Sequence, residues 1–426
     1  MNIILKRGKQ MKQKKIGSIT LSGLIIGPLL GSGIILLPPI IYDISGNYAI
    51  FAWLLMSIIG IFFALLCGEL TLMFPGEGGI GNAIEKAFGL RMKNLSSIFL
   101  MFAAFMGPIA VMMTAAEYLH AWLFTSSIKV EWIAIILLVL SGLILLFRLT
   151  FLGNLSLVIS SIAVLILTSG SVFSLLFHHR NEFMLQEFHV PSFGHSLLLL
   201  FWIIVGWEII GNYSEEVENP KRTIRKAVFL SAFVITSVNL LIAAAVQWTD
   251  FSSGQLSIQL TGILYPLFGG LSIGLLTIVA AGLCLTTYLM VAGGVSRLMA
   301  SLSQSVPALY FLTKKLKNGA PIASILLLMA IHLIVASFVM LQIITVENLV
   351  ALANAFFISN ALIGILSAVK LFTNRLMKGI AIFLSILFGL LLLRSSSVAL
   401  IIIMFLTLLF TCYKQGYRWA RFRKAG

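Results

Sequence analysis

The chain has 426 residues, of which 60% are hydrophobic and 10% charged, with a formal net charge of +15. A soluble domain carries about 25% charged residues, so a protein of this composition has no core large enough to hide its apolar excess and must place it against lipid. The three cysteines are far apart and show no metal or disulfide spacing. The positive charge gathers at helix ends and tails, which excludes a nucleic-acid surface as its first explanation and points to membrane topology.

Crossing the hydrocarbon core takes roughly 20 apolar residues in a helix. The basic stretch Lys6–Lys15 precedes an apolar run with no cleavage pattern after it, so the run is expected to stay as the first crossing. In chain order the apolar runs predict twelve crossings, over about 17–41, 48–74, 95–124, 131–149, 153–177, 195–214, 226–248, 262–291, 320–341, 346–371, 377–393 and 396–413. Gly293–Gly319 is expected to be a loop, and only Arg394 and three serines separate the last two crossings. Under this alternation every Lys and Arg except Lys129, Arg180 and Arg394 falls on one side. The positive-inside rule then puts both termini in the cytoplasm.

The fold class is therefore an all-α polytopic membrane protein. The division predicted is a tail at 1–16, a first five-helix repeat at 17–177, an inverted second repeat at 195–371, two additional helices at 377–413 and a basic tail at 414–426.

The first crossing contains Gly31-Ser32-Gly33 near its middle, flanked by Ile26, Gly27 and Pro28 on one side and Ile34 and Pro38 on the other. Glycine lowers the cost of leaving the helix. Unwound backbone at membrane depth is tolerated only where it is buried in protein or lines a cavity. A half-helix starting near Ile34 would present its N-terminal amides to an anion. Gly23, Gly27 and Gly31 also form a small-xxx-small ridge, which reads as close helix packing, and both roles stay open.

The sixth crossing runs through Trp202, Ile203, Gly206, Trp207, Glu208 and Gly211. Glu208 lies inside an apolar stretch, where a carboxylate must be paired, protonated or hydrated; a neutral, hydrogen-bonded structural role is the alternative. Glu69 and Glu117 are the other carboxylates in or beside crossings and are candidates for coupling or gating, or for simple pairing and capping. Interruptions five crossings apart, in halves of opposite orientation, are the best sequence pointer to a transporter site. His332 is a lone histidine in an apolar run and reads as a hydrogen-bonded packing residue. His178-His179 is a weak metal signal. There is no His-Glu-x-x-His, Gly-x-Gly-Asp or P-loop pattern, so no enzyme and no cofactor is expected.

The stretch Gly31-Ser32-Gly33-Ile34 to Pro38 resembles the first-helix signature of the amino acid–polyamine–organocation superfamily. Gly206-Trp207-Glu208 and Glu215-Glu216-Val217-Glu218-Asn219-Pro220-Lys221-Arg222 are similar to its sixth-helix signature, and Gly68-Glu69-Leu70 with Pro75-Gly76-Glu77-Gly78-Gly79 is similar to its second-helix exit. The short length and Ala353-Asn354-Ala355-Phe356-Phe357-Ile358 look closest to bacterial exporters of methionine and branched-chain amino acids. The resemblance implies that a substrate carboxylate meets amides near Ser32, Gly33 and Ile34. It implies that the ammonium meets carbonyls near Ile26 or Gly27 and near Trp202 or Ile203, with Trp202 and Trp207 packing or gating. Gly31 and Gly206 would shape the two breaks. The expected activity is alternating-access transport of a neutral, apolar amino acid across the inner membrane, as proton-coupled efflux, with membrane lipid around the protein. A cationic amino acid or polyamine is the alternative substrate. Relatives with a lysine in the fifth crossing use it in place of sodium; 153–177 holds no Lys or Arg, which leaves the coupling ion open.

Overall fold

The computed structural model describes residues 15–123, 128–178, 187–249, 260–304 and 306–422, with side chains up to residue 409. The expectations for His179, Arg180, the N-terminal lysines before Lys15 and the side chains of the basic C-terminal tail lie outside these. Among the described residues there is no named strand, and Ile16 makes a single parallel bridge to Val217.

The first crossing is two helices, α1 (Ser18–Leu30) and α2 (Gly33–Ser45), followed by α3 (Ala49–Met73). A short α4 (Gly81–Phe88) leads into α5 (Leu90–Leu123), then α6 (Val130–Ile144) and α7 (Leu149–Phe177). The sixth crossing begins as α8 (Val190–Leu200) and continues in 3-10 geometry over Phe201–Ile203 and Trp207–Glu216. The chain then forms α9 (Pro220–Trp248), short α10 (Thr261–Phe268), α11 (Ser272–Ser303), α12 (Ile322–Met340), α13 (Val346–Leu371), α14 (Arg375–Leu393) and α15 (Ser397–Phe422). Nine stretches of the described residues are long and apolar enough to cross a bilayer; Ser18–Met73 is one such stretch containing two crossings, and Val130–Ile144 and Ser397–Leu409 are shorter. The protein is a multi-pass membrane protein of about twelve helical crossings.

Burial follows from that solvent. Large apolar side chains such as Leu165, Phe229, Ile278 and Ile401 are exposed, as a lipid-facing surface requires. Small and polar side chains such as Ser156, Ser171, Ser231, Ser296 and Ser324 are buried between helices, the usual composition of helix interfaces in membranes.

One pair of elements recurs in the two halves. After the second crossing, α4 ends at Phe88-Gly89 and the 34-residue α5 follows; after the seventh, α10 ends at Phe268-Gly269 and the 32-residue α11 follows. Gly89 (φ 88°) and Gly269 (φ 54°) both turn the chain in the left-handed region. Helix α4 packs on α13 of the second half, and α10 packs on α7 of the first. That exchange of partners is what two units related by inversion produce.

Several expected boundaries move; the expected eighth crossing, 262–291, divides into short α10 and the long α11. Helix α11 continues through Gly293–Ser303, which the sequence suggested was loop, because Gly293 and Gly294 let Tyr213 and Ile209 pack against its surface and keep it inside the protein. The sixth crossing starts at Val190, with Pro191 in its first turn, where a missing amide costs nothing. The last crossing is helical to Phe422, beyond the expected start of the tail at 414.

The small-residue ridge of α1 is a packing surface: a Cβ on Gly23 would lie 2.6 Å from Leu157 Cα on α7. Gly23→Val is therefore expected to cost about 1–3 kcal/mol of stability through overpacking, read as a lower melting temperature of the detergent-purified protein. Gly17→Val, where a Cβ meets nothing within 4 Å, should leave that temperature unchanged.

Candidate functional site

The first break is built by one glycine. Helix α1 stops at Leu30, Gly31 takes φ 44° and ψ −150°, and Gly33 starts α2. An intact helix would pair the Pro28 carbonyl with the Ser32 amide; here the Thr287 hydroxyl on α11 comes within 3.2 Å of Pro28 O and 2.9 Å of Leu283 O, one hydrogen shared between two acceptors. The Gly27 carbonyl takes the Gly31 amide at 2.8 Å. The first amides of α2, at Gly33 and Ile34, have no partner within their own helix.

The second break mirrors the first. The 3-10 turn Phe201–Ile203 gives way at Ile204 and Val205, Gly206 takes φ 121°, and a second 3-10 segment starts at Trp207. Glu208 is buried at 1% exposure. Its carboxylate accepts the Gly206 amide at 3.1 Å, so a buried acid and the break it follows satisfy each other.

The two breaks touch. Trp202 donates its indole N–H to Ser32 Oγ at 3.2 Å. A Cβ on Gly33 would stand 3.1 Å from Ile203 Cγ2 and 3.2 Å from Trp202 Cδ1. Beside this junction lies a cavity of about 30 Å³ lined by Pro28, Trp202 and Val205 of the breaks, Gly107, Pro108 and Val111 of α5, Thr287, Met290 and Val291 of α11, and Phe357 of α13. That volume suits one water and is too small for an amino acid. No ionisable side chain is in the lining.

Of the residues singled out in the sequence, Trp202 borders this cavity, while Ser32 and Gly33 contact Trp202 from behind. Ile26 is buried, and Gly27 packs against Thr286. Ile203 and Trp207 border a separate small cavity against α3 and α9. Glu69 pairs through both carboxylate oxygens with Arg225, at 2.9 and 3.1 Å, away from the breaks. Glu117 lines a cavity of about 420 Å³ with Ile35, Leu36 and Pro39 of α2. The lining residues of α5 and α11 carried no motif; Pro108 inside an apolar run is the one local signal that could have marked them.

Between the cavity and the lysine- and arginine-rich loops, a set of contacts bridges the described residues. Ile16 donates its amide to Glu216 O at 3.0 Å and accepts the Glu218 amide at 2.9 Å. Arg297, expected in a loop, is buried within α11; it donates to Glu216 at 2.6 Å and to Gly293 O at 2.9 Å and lies over the Tyr213 ring. Tyr213 in turn donates to Met290 O at 2.7 Å, beside the cavity. Lys315 pairs with Glu77 at 2.6 Å, and Asn212 donates to Glu77 O at 2.7 Å. No group of three or more His, Cys, Asp or Glu that would hold a metal exists among the described residues.

Comparison with known proteins gives this geometry a family. A cadaverine/lysine antiporter of Escherichia coli (strain K12) is 28% identical over 229 residues, covering 51% of this chain and 50% of the antiporter. The L-methionine/branched-chain amino acid exporter of the same strain is 23% identical over 239 residues, 53% of this chain and 52% of the exporter. A serine/threonine exchanger of Bacillus subtilis (strain 168) is 24% identical over 242 residues, 54% of each. The matched region spans about half the length of these curated relatives. The profile of the family described as "Amino acid permease" matches residues 16–415, and the chain belongs to that family.

Proposed function

We propose that the protein is a secondary transporter that moves a neutral, apolar amino acid out across the cytoplasmic membrane by alternating access, coupled to a proton. The observation that carries the substrate class is the cavity at the two breaks, whose lining has no ionisable side chain. The substrate carboxylate would take the amides of Gly33 and Ile34 at the start of α2. Its ammonium would take carbonyls at the ends of α1 and of the 3-10 turn before Ile204. Trp202 and Phe357 would close over its side chain.

In this reading the halves 17–177 and 195–371 rock against each other about the breaks, and both termini lie in the cytoplasm with the basic loops. The contacts bridging the cytoplasmic side and the 420 Å³ cavity on the other side support an outward-facing arrangement. Glu208 is the proton carrier because it is buried and bonded to the break itself; Glu69 is held by Arg225. The efflux direction follows the likeness to the methionine and branched-chain exporter. The second reading, a cationic amino acid or polyamine substrate, draws on the likeness to the cadaverine/lysine antiporter and on the nearness of Glu208 to the break.

Three outcomes test this. In a thermal-shift screen of the purified protein, methionine or leucine at 100 times its dissociation constant should stabilise by about 2.7 kcal/mol. Gly107→Ala, at a lining position where an added Cβ meets nothing closer than 3.5 Å, should melt normally and weaken that response; stabilisation by lysine or cadaverine instead would favour the second reading. In proteoliposomes, Glu208→Gln should still exchange substrate but no longer respond to an imposed pH gradient. Glu216→Gln strips a buried arginine of its counter-ion, and losing one partner of such a pair costs about 3–5 kcal/mol. It should lower the melting temperature and raise the reactivity of a cysteine placed at Ser22 toward a cytoplasmic-side thiol reagent.

A further inference from the structure

Helix α5 carries Pro108 in its interior. Proline has no amide hydrogen, so the carbonyl four residues earlier, Ala104 O, loses its helical donor, and the ring crowds it. At membrane depth no water replaces that donor.

The missing donor comes from another crossing. His332, fully buried on α12, places Nε2 2.8 Å from Ala104 O. A carbonyl can only accept, so Nε2 carries the hydrogen. The other ring nitrogen, Nδ1, lies 3.1 Å from the hydroxyl of Tyr288 on α11. Charging a ring sealed among apolar helices is costly, so the neutral ring accepts the Tyr288 hydroxyl at Nδ1. Both nitrogens are thereby used, and each in one role.

The position of this clamp gives it a function. Gly107, Pro108 and Val111 form one wall of the central cavity; Thr287, Met290 and Val291, on either side of Tyr288, form the facing wall. His332 is absent from the lining and is bonded to the backbone of one wall and to a side chain of the other. We infer that His332 is a positioning residue for the substrate cavity, holding α5 at Pro108 at a set distance from α11 by supplying the hydrogen bond that Pro108 removes. The inference rests on the transport reading above for what the cavity holds.

The test is a mutant cycle with two readouts: melting temperature in detergent, and KM and Vmax for L-leucine transport in proteoliposomes. His332→Leu should lower the melting temperature. In a Pro108→Ala background, where residue 108 regains an amide for Ala104, the same change should lower it by half as much or less. His332→Leu should raise KM about fivefold with Vmax within about twofold, the pattern of a lost binding geometry. His332→Gln, with an N–H for Ala104 and an oxygen for Tyr288, should bring KM back toward the parent value. An equal melting loss with and without Pro108, or a KM unmoved by His332→Leu, would overturn the inference. If the parent protein moves no L-leucine, the substrate assignment fails instead, and the melting cycle still decides whether His332 serves the carbonyl freed by Pro108.

Discussion

A peptide group without a hydrogen-bond partner is expensive where there is no water, and the interior of this protein is organised around that cost. Both broken crossings expose backbone in the middle of the membrane. Each is held open by a glycine in a conformation other residues rarely adopt, Gly31 and Gly206, and each has its loose groups met from outside the helical ladder. Thr287 reaches across from α11 for Pro28 O, and Glu208 bends back for the Gly206 amide. The first amides of α2, at Gly33 and Ile34, stay outside that accounting, since their own helix offers them no carbonyl.

The chemistry changes along the axis of the molecule. At the breaks, contacts are single hydrogen bonds from hydroxyl, indole and amide groups, and the lining is otherwise apolar. Toward the basic loops, charges take over: Arg297 with Glu216, and Lys315 with Glu77. Under the proposed transport cycle, weak neutral contacts suit a surface that releases its ligand each turn. In the same proposed cycle, the Arg297–Glu216 pair suits a closure that is either made or broken, because a half-broken buried pair is strongly disfavoured.

Much of this was legible beforehand, and the reason is periodicity. Apolar runs with basic ends placed about twelve crossings, and Gly31-Ser32-Gly33 located the first break within a residue because glycine at membrane depth is a local signal. The sixth crossing was harder: its second half is 3-10 from Trp207 to Glu216, and a 3.0-residue turn leaves no distinct pattern in so apolar a stretch. Arg297 was read as loop because a cation after Gly293-Gly294 looks like an exit from the membrane; its partner Glu216 is 81 residues away. The cavity walls on α5 and α11 were illegible for the same reason, since the contacts that define them are long-range and their side chains ordinary. His332 stood out singly and Pro108 did not, and only the fold shows that one answers the other.

One dimension of the fold bears on its surroundings. Helix α6 has 15 residues and rises about 22 Å, short of the roughly 30 Å of hydrocarbon; α7, next in sequence, has 29 and would reach about 43 Å if upright. Trp132, Ile136, Leu140 and Leu143 put the short helix in direct contact with lipid. Acyl chains must draw in beside α6 while α7 leans over to stay within the same layer, and each ångström of mismatch costs a fraction of a kcal/mol. On that flank the reach of α6 is shorter than that of α7, so a thin bilayer matches it better than a thick one.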